Sequence, residues 1–271
     1  MNAEAITLSG SRPDAVLLIH GLTGAPGEMR PLARALNRQG FTVHVPLLAG
    51  HGADQKALLA TGWRDWLAGC EAAYDRLAER HAAVHVGGVC AGASLAVMLA
   101  ARRPVASLVT YSMTFRYDGW AMPLVTHAAP LINLSATLPL IRSIGFPERT
   151  PFGIKDDRLR GWIVRQATQP DSGMLDVFPI GALGQLFRMG RQVRREAGTI
   201  TAPALLFHAR QDDMADLGNS RALLALLGGP KRLEVLEDSF HLVHLDREAG
   251  AVARATGAHF RSVEAAAPLR A

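Results

Sequence analysis

The segment Gly88-Val89-Cys90-Ala91-Gly92 carries the clearest chemical signal in the sequence. It follows a run of small and β-branched residues typical of a buried strand, and it precedes a run from Ala93 that favours a helix. A strand, a sharp turn and a helix form the setting of the motif G-x-S-x-G, with Cys here in place of Ser. The glycines permit the tight turn, and the adjacent helix N-terminus favours a thiolate, so we predict that Cys90 is a nucleophile.

Two later segments supply a candidate base and a candidate acid to orient it. Asp212 follows an apolar run that ends at His208, and His241 follows the last predicted strand. A carboxylate that accepts a hydrogen bond from an imidazole holds the ring so that its other nitrogen can take a proton from the nucleophile. The chain order Cys90, Asp212, His241 is the order expected when the nucleophile occupies such a turn.

Other residues near these positions could take the same roles. Ser94 belongs to a segment that loosely mimics the motif, but it lies one turn into the predicted helix, away from the strand end. Asp213 is the alternative acid and His244 the alternative base. Structural interpretations suit two loop histidines and the second cysteine, namely His20, His51 and Cys70.

The elements that must position these residues follow from the pattern of apolar runs. Helices are predicted at 28–38, 63–80 and 93–102. Near-continuous apolar character is typical of strands that are buried on both faces of a parallel sheet. Such runs occupy 15–20, 41–47, 83–89, 107–111, 204–208 and 233–236. The alternation of strands and helices predicts one doubly wound, mostly parallel α/β domain over residues 1–271.

The alternation breaks between residues 113 and 179, where prolines and aromatic residues are frequent. We predict that this segment is a helical insertion that covers the site as a lid. Phe115, Trp120 and Phe240 are the predicted lining of an apolar substrate pocket, because such pockets bind through buried area. Alternatively, these aromatic residues only pack the insertion against the sheet.

The net charge of +5 owes much to arginine, which clusters at Arg188, Arg191, Arg194 and Arg195. A solvated helix face is the simplest interpretation, and a docking surface for an acidic carrier protein or an anionic membrane is the alternative. Basic residues are not interleaved with stacking aromatic residues, so we do not expect a nucleic-acid partner.

Several protein classes do not fit the sequence. It has no apolar run of about 18 residues that could span a membrane, and no basic region followed by an apolar stretch at its start. Its two cysteines do not form a disulfide framework, so a cytoplasmic location is expected. Metal-ligand spacings are also missing, and we expect neither a metal nor another cofactor.

Together these motifs resemble the bacterial carboxylesterase and monoacylglycerol-lipase branch of the α/β-hydrolases. The matching segments are HGLTG at 20–24, LLAGHG at 47–52, TGWRDWL at 61–67, the turn at 88–92, ARQDDM at 209–214 and SFHLVHLD at 239–246. The resemblance implies the α/β-hydrolase fold, the triad Cys90, Asp212 and His241, and an oxyanion hole from the N–H groups of Leu22 and Ala91. Family members usually have Ser at the position of Cys90 and often Gly at that of Phe240.

A cysteine nucleophile leaves three functional hypotheses open. Its acyl-enzyme is a thioester, which exchanges readily with other thioesters and reacts with amines. The protein is therefore expected to be an acyl hydrolase of the carboxylesterase or thioesterase type, acting on a small acyl ester or thioester. An acyltransferase that takes its acyl group from coenzyme A or a carrier protein is the alternative. A non-catalytic binding module is the third, although the presence of Asp212 and His241 argues against it.

Overall fold

A predominantly parallel sheet forms the centre of the protein. The computed structural model describes residues 4–122, 138, 140–147, 150–167, 175 and 177–266. The strands in these residues are β1 (Ile6–Leu8), β2 (Ala15–Ile19), β3 (Thr42–Val45), β4 (Val84–Val89), β5 (Ser107–Tyr111), β6 (Gly145–Pro147), β7 (Val177–Pro179), β8 (Ala204–Ala209) and β9 (Lys231–Leu236). Seven of them pair in the order β1-β3-β2-β4-β5-β8-β9, and only β1 is antiparallel to its neighbour.

Helices cover the sheet and account for the burial of its central strands. They are α1 (Arg30–Asn37), α2 (Gln55–Leu59), α3 (Trp63–Ala78), α4 (Ala91–Ala100), α5 (Asp157–Ala167), α6 (Ile180–Glu196), α7 (Gly218–Leu226) and α8 (Ala249–Ala266). Helices α3, α4 and α6 pack on one another, while α1 packs on α8, which lies against β5 and β8. Every residue of β2, β4, β5 and β8 is buried, as expected for strands covered on both faces. The predicted doubly wound α/β architecture is therefore confirmed.

The sequence predictions differ from the structure mainly at the edges of elements. The helix predicted at 28–38 begins with a separate 3-10 turn, Pro26–Met29, and the helix predicted from residue 93 begins at Ala91. The edge strand β1 was not predicted. Within the predicted insertion, residues 113–179, the described part contains α5 and the short antiparallel pair β6 and β7, where no strand was expected. The rest of that insertion lies outside the described residues.

Parallel pairing determines where the loops meet. Strands β2, β4, β8 and β9 all end at the same edge of the sheet, so the segments that follow them come together there. These segments contain residues 20–24, Cys90, 210–214 and 239–246. In the described part of the chain, no helix has the length and apolar character needed to cross a membrane.

Phe260 on α8 provides a test of how the helices support the sheet. Its side chain is fully buried and lies 5.7 Å from the ring of Phe41 and 4.5 Å from that of His85. Phe260→Ala should lower the free energy of unfolding by about 3–5 kcal/mol, because it leaves a cavity between helix and sheet. Urea denaturation measures the change. Arg254→Ala, an exposed position on the same helix, should change stability by less than about 0.5 kcal/mol; equal effects would contradict this packing role.

Candidate active site

Cys90 occupies the turn between β4 and α4. Its backbone has φ 55° and ψ −116°, a conformation that L residues rarely adopt and that structures retain mainly at functional sites. The flanking glycines are sterically required. A Cβ on Gly88 would lie 2.2 Å from the carbonyl oxygen of Gly92, and one on Gly92 would lie 2.3 Å from the carbonyl oxygen of Ile19. The turn thus presents Cys90 at the end of β4, as the motif predicted.

His241 and Asp212 meet beside this turn. The ring Nδ1 of His241 donates to the Asp212 carboxylate, at 2.8 Å from Oδ2 and 3.0 Å from Oδ1. Asp212 also accepts the N–H groups of Met214 and Ala215, at 2.9 Å and 2.8 Å. Burial favours a raised pKa for Asp212, but the charge and hydrogen bond of His241 outweigh it and bring the pKa below its usual value.

The ring of His241 interacts with both neighbours. Burial disfavours its charged form, but Asp212 and then Cys90 favour it, so the pKa of His241 lies well above its usual value. Because Nδ1 is engaged by Asp212, Nε2 is the nitrogen left for Cys90. Among the described residues Nε2 makes no hydrogen bond of ordinary geometry, which is common in sites that tighten only when substrate binds.

The alternative acid and base have other surroundings. Asp213 accepts the backbone N–H groups of Gly153, at 2.9 Å, and of His241, at 3.3 Å, so it holds main chain instead of the imidazole. His244 is buried, and burial lowers its pKa to about 3. Ser94 lies within α4, where its hydroxyl points to the sulfur of Met113 at 3.9 Å. The structure thus places Asp212 and His241 side by side. Asp213, His244 and Ser94 do not occupy the positions of the acid, the base and the nucleophile.

The loop histidines His20 and His51 make hydrogen bonds to the main chain, and Cys70 is buried within a helix. These contacts are typical of the structural roles that the sequence suggested for them. His20 lies 3.0 Å from the carbonyl oxygen of Gly21 through Nδ1, and its Nε2 accepts the N–H of Leu48. His51 lies 3.1 Å from the carbonyl oxygen of Ala49. Cys70 is fully buried in α3, and burial raises the pKa of its thiol.

A cavity of about 50 Å³ opens next to Cys90. Leu22, one predicted oxyanion donor, lines it, and Ala91, the other, follows Cys90 as the first residue of α4. The remaining lining consists of Gly21, Thr23, Gly24, Glu28, Val89, Tyr117, Phe178, Met214, His241 and Leu242. Tyr117 and Phe178 pack with ring centroids 5.2 Å apart. Most of this lining is apolar, which suits an acyl group.

The three aromatic residues predicted to line the pocket lie elsewhere. Phe115 is buried beneath the guanidinium of Arg194, 4.1 Å away, and packs against α6. Trp120 is 63% exposed and donates through Nε1 to the carbonyl oxygen of Gln211. Phe240 packs against Trp120, with ring centroids 5.5 Å apart. The prediction is corrected on this point: Tyr117 and Phe178 are the aromatic residues next to Cys90.

The backbone conformation of Ser112 explains why the residues beside Cys90 are difficult to predict from the sequence. Ser112, which follows β5, has φ 49°, so the alternation of side chains along β5 does not continue into 113–120. Tyr117 therefore carries no sequence signal that distinguishes it from Phe115. Its hydroxyl lies 3.1 Å from the sulfur of Cys90.

Glu28 is a further cavity residue that sequence reasoning did not identify. It belongs to the 3-10 turn Pro26–Met29 and looks like an ordinary acidic residue at the start of a helix. In the structure it is 7% exposed, and its carboxylate accepts the backbone N–H of Gly21. Burial raises the pKa of Glu28 to about 7, while the Gly21 N–H and the charge of His241 act in the opposite direction.

A second buried carboxylate connects the insertion to the histidine loop. Asp246 accepts the N–H groups of Lys155 and Asp156, at 2.8 Å and 3.0 Å, and that of Phe240, at 2.8 Å. The N–H of Leu242 in turn donates to the carbonyl oxygen of Gly153 at 2.8 Å.

Within the described residues no cluster of three or more His, Cys, Asp or Glu side chains has an arrangement that could hold a metal ion.

Tyr117 should influence the reactivity of the Cys90 thiol. A hydroxyl that donates to a thiolate stabilises it, and a hydrogen bond to a charged group contributes about 1.5–3 kcal/mol. Tyr117→Phe should therefore slow iodoacetamide alkylation of Cys90 at pH 7 by about tenfold. Tyr74→Phe removes a hydroxyl on α3 that bonds to Pro104 outside this cavity, and it should not change the alkylation rate. An unchanged rate in Tyr117→Phe would exclude the donor role.

Comparison with known proteins finds a lipase and a carboxylesterase among the relatives. The chain is 29% identical over 255 residues to the thermostable monoacylglycerol lipase of Bacillus sp. (strain H-257), covering 91% of this chain and 92% of that protein. It is 24% identical over 237 residues to a carboxylesterase of Bacillus subtilis (strain 168), covering 86% and 87%.

Solved structures agree on the fold. The structure is similar to that of a metagenome-derived lipolytic enzyme of the LipS and LipT pair, with a TM-score of 0.80, 26% identity and coverage of 96% of this chain and 98% of that chain. The monoacylglycerol lipase of Paleococcus ferrophilus gives a TM-score of 0.78 at 18% identity, over 97% and 100% of the two chains. The sequence profile of the serine aminopeptidase S33 family matches residues 11–248. Because this match covers most of the chain, the protein belongs to the serine aminopeptidase S33 family and has the α/β-hydrolase fold.

Proposed function

We propose that the protein is an acyl hydrolase of the carboxylesterase or thioesterase type that works through Cys90, His241 and Asp212. The observation that carries this proposal is the buried hydrogen bond between His241 Nδ1 and Asp212, beside a cysteine in a strained turn. An oriented base next to a nucleophile is the arrangement that covalent acyl transfer requires. Two of its relatives, a monoacylglycerol lipase and a carboxylesterase, are ester hydrolases.

In this mechanism His241 takes the Cys90 proton and the thiolate attacks the acyl carbonyl carbon. The N–H groups of Leu22 and Ala91 stabilise the oxyanion, and the N-terminus of α4 adds its positive dipole end. The tetrahedral intermediate collapses, the C–O or C–S bond of the substrate breaks, and His241 protonates the leaving group. Water then attacks the Cys90 thioester with His241 as base, which releases the acid and restores the thiol.

The substrate of this proposal is a small-molecule ester or thioester with an apolar acyl group. The side chains of Tyr117, Phe178, Met214 and Leu242 surround the thiol and offer apolar surface with few polar groups. The insertion at 113–179 acts as the lid in this proposal. Its described part contributes Tyr117 and Phe178 to the cavity and reaches the histidine loop through Asp246.

Acyl transfer is the second candidate, and the cysteine itself favours it. A thioester acyl-enzyme forms from a thioester donor with little change in free energy, and it then reacts with amines or thiols. The arginines of α6 provide a surface for an acidic carrier protein, since Arg191, Arg194 and Arg195 are exposed. A non-catalytic binding role gives no reason for the Asp212–His241 hydrogen bond and is the weakest of the three hypotheses.

Cys90 should be the residue that becomes acylated. Incubation with acyl thioesters should add one acyl group to the protein, and peptide mapping should place it on Cys90. Cys90→Ala should abolish both the adduct and turnover, whereas Cys70→Ala should not, because Cys70 is fully buried in α3. Intact-protein mass spectrometry and p-nitrophenyl ester hydrolysis measure the two effects. Normal turnover in Cys90→Ala, with loss in Ser94→Ala, would move the nucleophile to Ser94.

The two adjacent aspartates should have separable effects. Asp212→Asn removes the charge that raises the pKa of His241 and the group that orients its ring, so kcat should fall by at least about 10²-fold. Asp213→Asn alters a carboxylate that holds the backbone of Gly153 and His241, so its main effect should be a lower melting temperature. Steady-state kinetics and thermal melts distinguish the pair. The reverse pattern would assign the acid role to Asp213.

A further inference from the structure

Glu28 places a second titratable carboxyl in the cavity of Cys90. It lines the same cavity as Cys90 and His241, yet it has no part in the triad. Its position is sterically defined, since a Cβ on Gly24 would lie 2.1 Å from Oε2. A Cβ on Gly21 would lie 3.3 Å from Oε1 of Glu28 and 3.8 Å from the Cβ of Cys90, so both side chains flank the same face of Gly21. The carboxyl group is thus within the reaction site.

The hydrogen bonding of Glu28 does not explain why the residue is an acid. Its Oε1 accepts one neutral donor, the N–H of Gly21, and no Lys or Arg of the described residues pairs with it. The charge of His241 stabilises the ionised form of Glu28 in part. Burial still raises the pKa of Glu28 to about 7, because removing a carboxylate from water costs several kcal/mol for an unpaired ion. A glutamine oxygen could hold the Gly21 N–H without that cost. A carboxyl group at this position is better explained if it accepts a proton from a reactant or binds a cationic reactant.

Proton counting narrows the identity of that reactant. When water, an alcohol or a thiol attacks the Cys90 thioester, one proton must be removed, and His241 takes it. A primary amine exists at neutral pH as an ammonium ion, so two protons must be removed before an amide forms. The cavity contains two bases, His241 and Glu28. The second base is surplus for water, whereas it provides an acceptor for the extra proton of an ammonium ion, whose charge also complements the carboxylate.

We propose that Glu28 binds and deprotonates a primary amine that takes the acyl group from Cys90. The inference rests on the acyl-enzyme of the proposed function and names its acceptor. Glu28 takes one proton from the ammonium ion, and the amine nitrogen attacks the thioester carbonyl carbon. As the C–N bond forms and the C–S bond breaks, His241 takes the second proton and Cys90 leaves as a thiolate. Glu28 then releases its proton to solvent, and the thiolate and imidazolium pair is ready for the next acyl donor.

The test compares the rates at which the acyl-enzyme transfers its acyl group to an amine and to water. Wild-type protein and Glu28→Gln are acylated with a butyryl thioester of N-acetylcysteamine and freed of excess donor. Loss of the butyryl group is then followed by intact-protein mass spectrometry in buffer, in propylamine and in propanol, and butyramide product is quantified. In wild type, propylamine should accelerate the loss and propanol should not. The ratio of amine-dependent to water-dependent loss should fall by about 10²-fold in Glu28→Gln.

The controls separate three explanations. Glu79→Gln, an exposed position at the end of α3, should leave the ratio unchanged. An unchanged ratio in Glu28→Gln would overturn the proposal, because a residue that only positions the Gly21 loop affects both losses alike. Absence of any acyl adduct on wild-type Cys90 would overturn the proposed function itself. An adduct that propylamine does not remove faster than water would overturn only the amine acceptor.

Discussion

The close approach of the main chain around Cys90 is the constraint on which the rest of the site depends. The turn after β4 passes so near the end of β2 that a side chain on Gly92 would collide with the carbonyl oxygen of Ile19. This contact holds the backbone of Cys90 in its strained conformation and brings the HGLTG loop next to the thiol. Strain of this kind persists only where surrounding packing determines it, here a strand buried on both faces.

Carboxylates bring the remaining loops to this turn. Asp212 binds both the imidazole of His241 and two N–H groups of its own loop, while Asp213 and Asp246 bind only main chain. Each of these carboxylates is buried and accepts hydrogen bonds from several donors. A buried charge that is satisfied in this way fixes the conformation of the loops around it, whereas an unsatisfied one would destabilise the folded protein. Of these three aspartates, Asp212 binds the imidazole of His241, whereas Asp213 and Asp246 hold the loops in place through main-chain N–H groups.

Features with a strong local signal could be predicted from sequence. The six predicted strands of the main sheet are present because continuous apolar runs report burial on both faces, and Cys90, Asp212 and His241 meet because parallel strands end at one edge. The three-residue strand β1 lacks such a run, and its middle residue is exposed. Contacts across the cavity could not be predicted. Tyr117, and not Phe115, lies beside Cys90, because the positive φ of Ser112 ends the side-chain alternation of β5, and Glu28 reaches the site by way of a 3-10 turn.

The link between the insertion and the histidine loop has a consequence for how this fold diversifies. Residues 153–156 share Asp213 and Asp246 with the backbone of His241 and Phe240, so the same carboxylates hold this part of the insertion and the loop of the base. Insertions on such a sheet are usually the part that varies to change substrates. If another insertion were grafted into this protein, it would have to retain the main-chain donors at Gly153, Lys155 and Asp156. Without them, Asp213 and Asp246 would no longer fix the loop that orients the imidazole of His241. A change of insertion that alters the substrate range therefore also affects the geometry of the base.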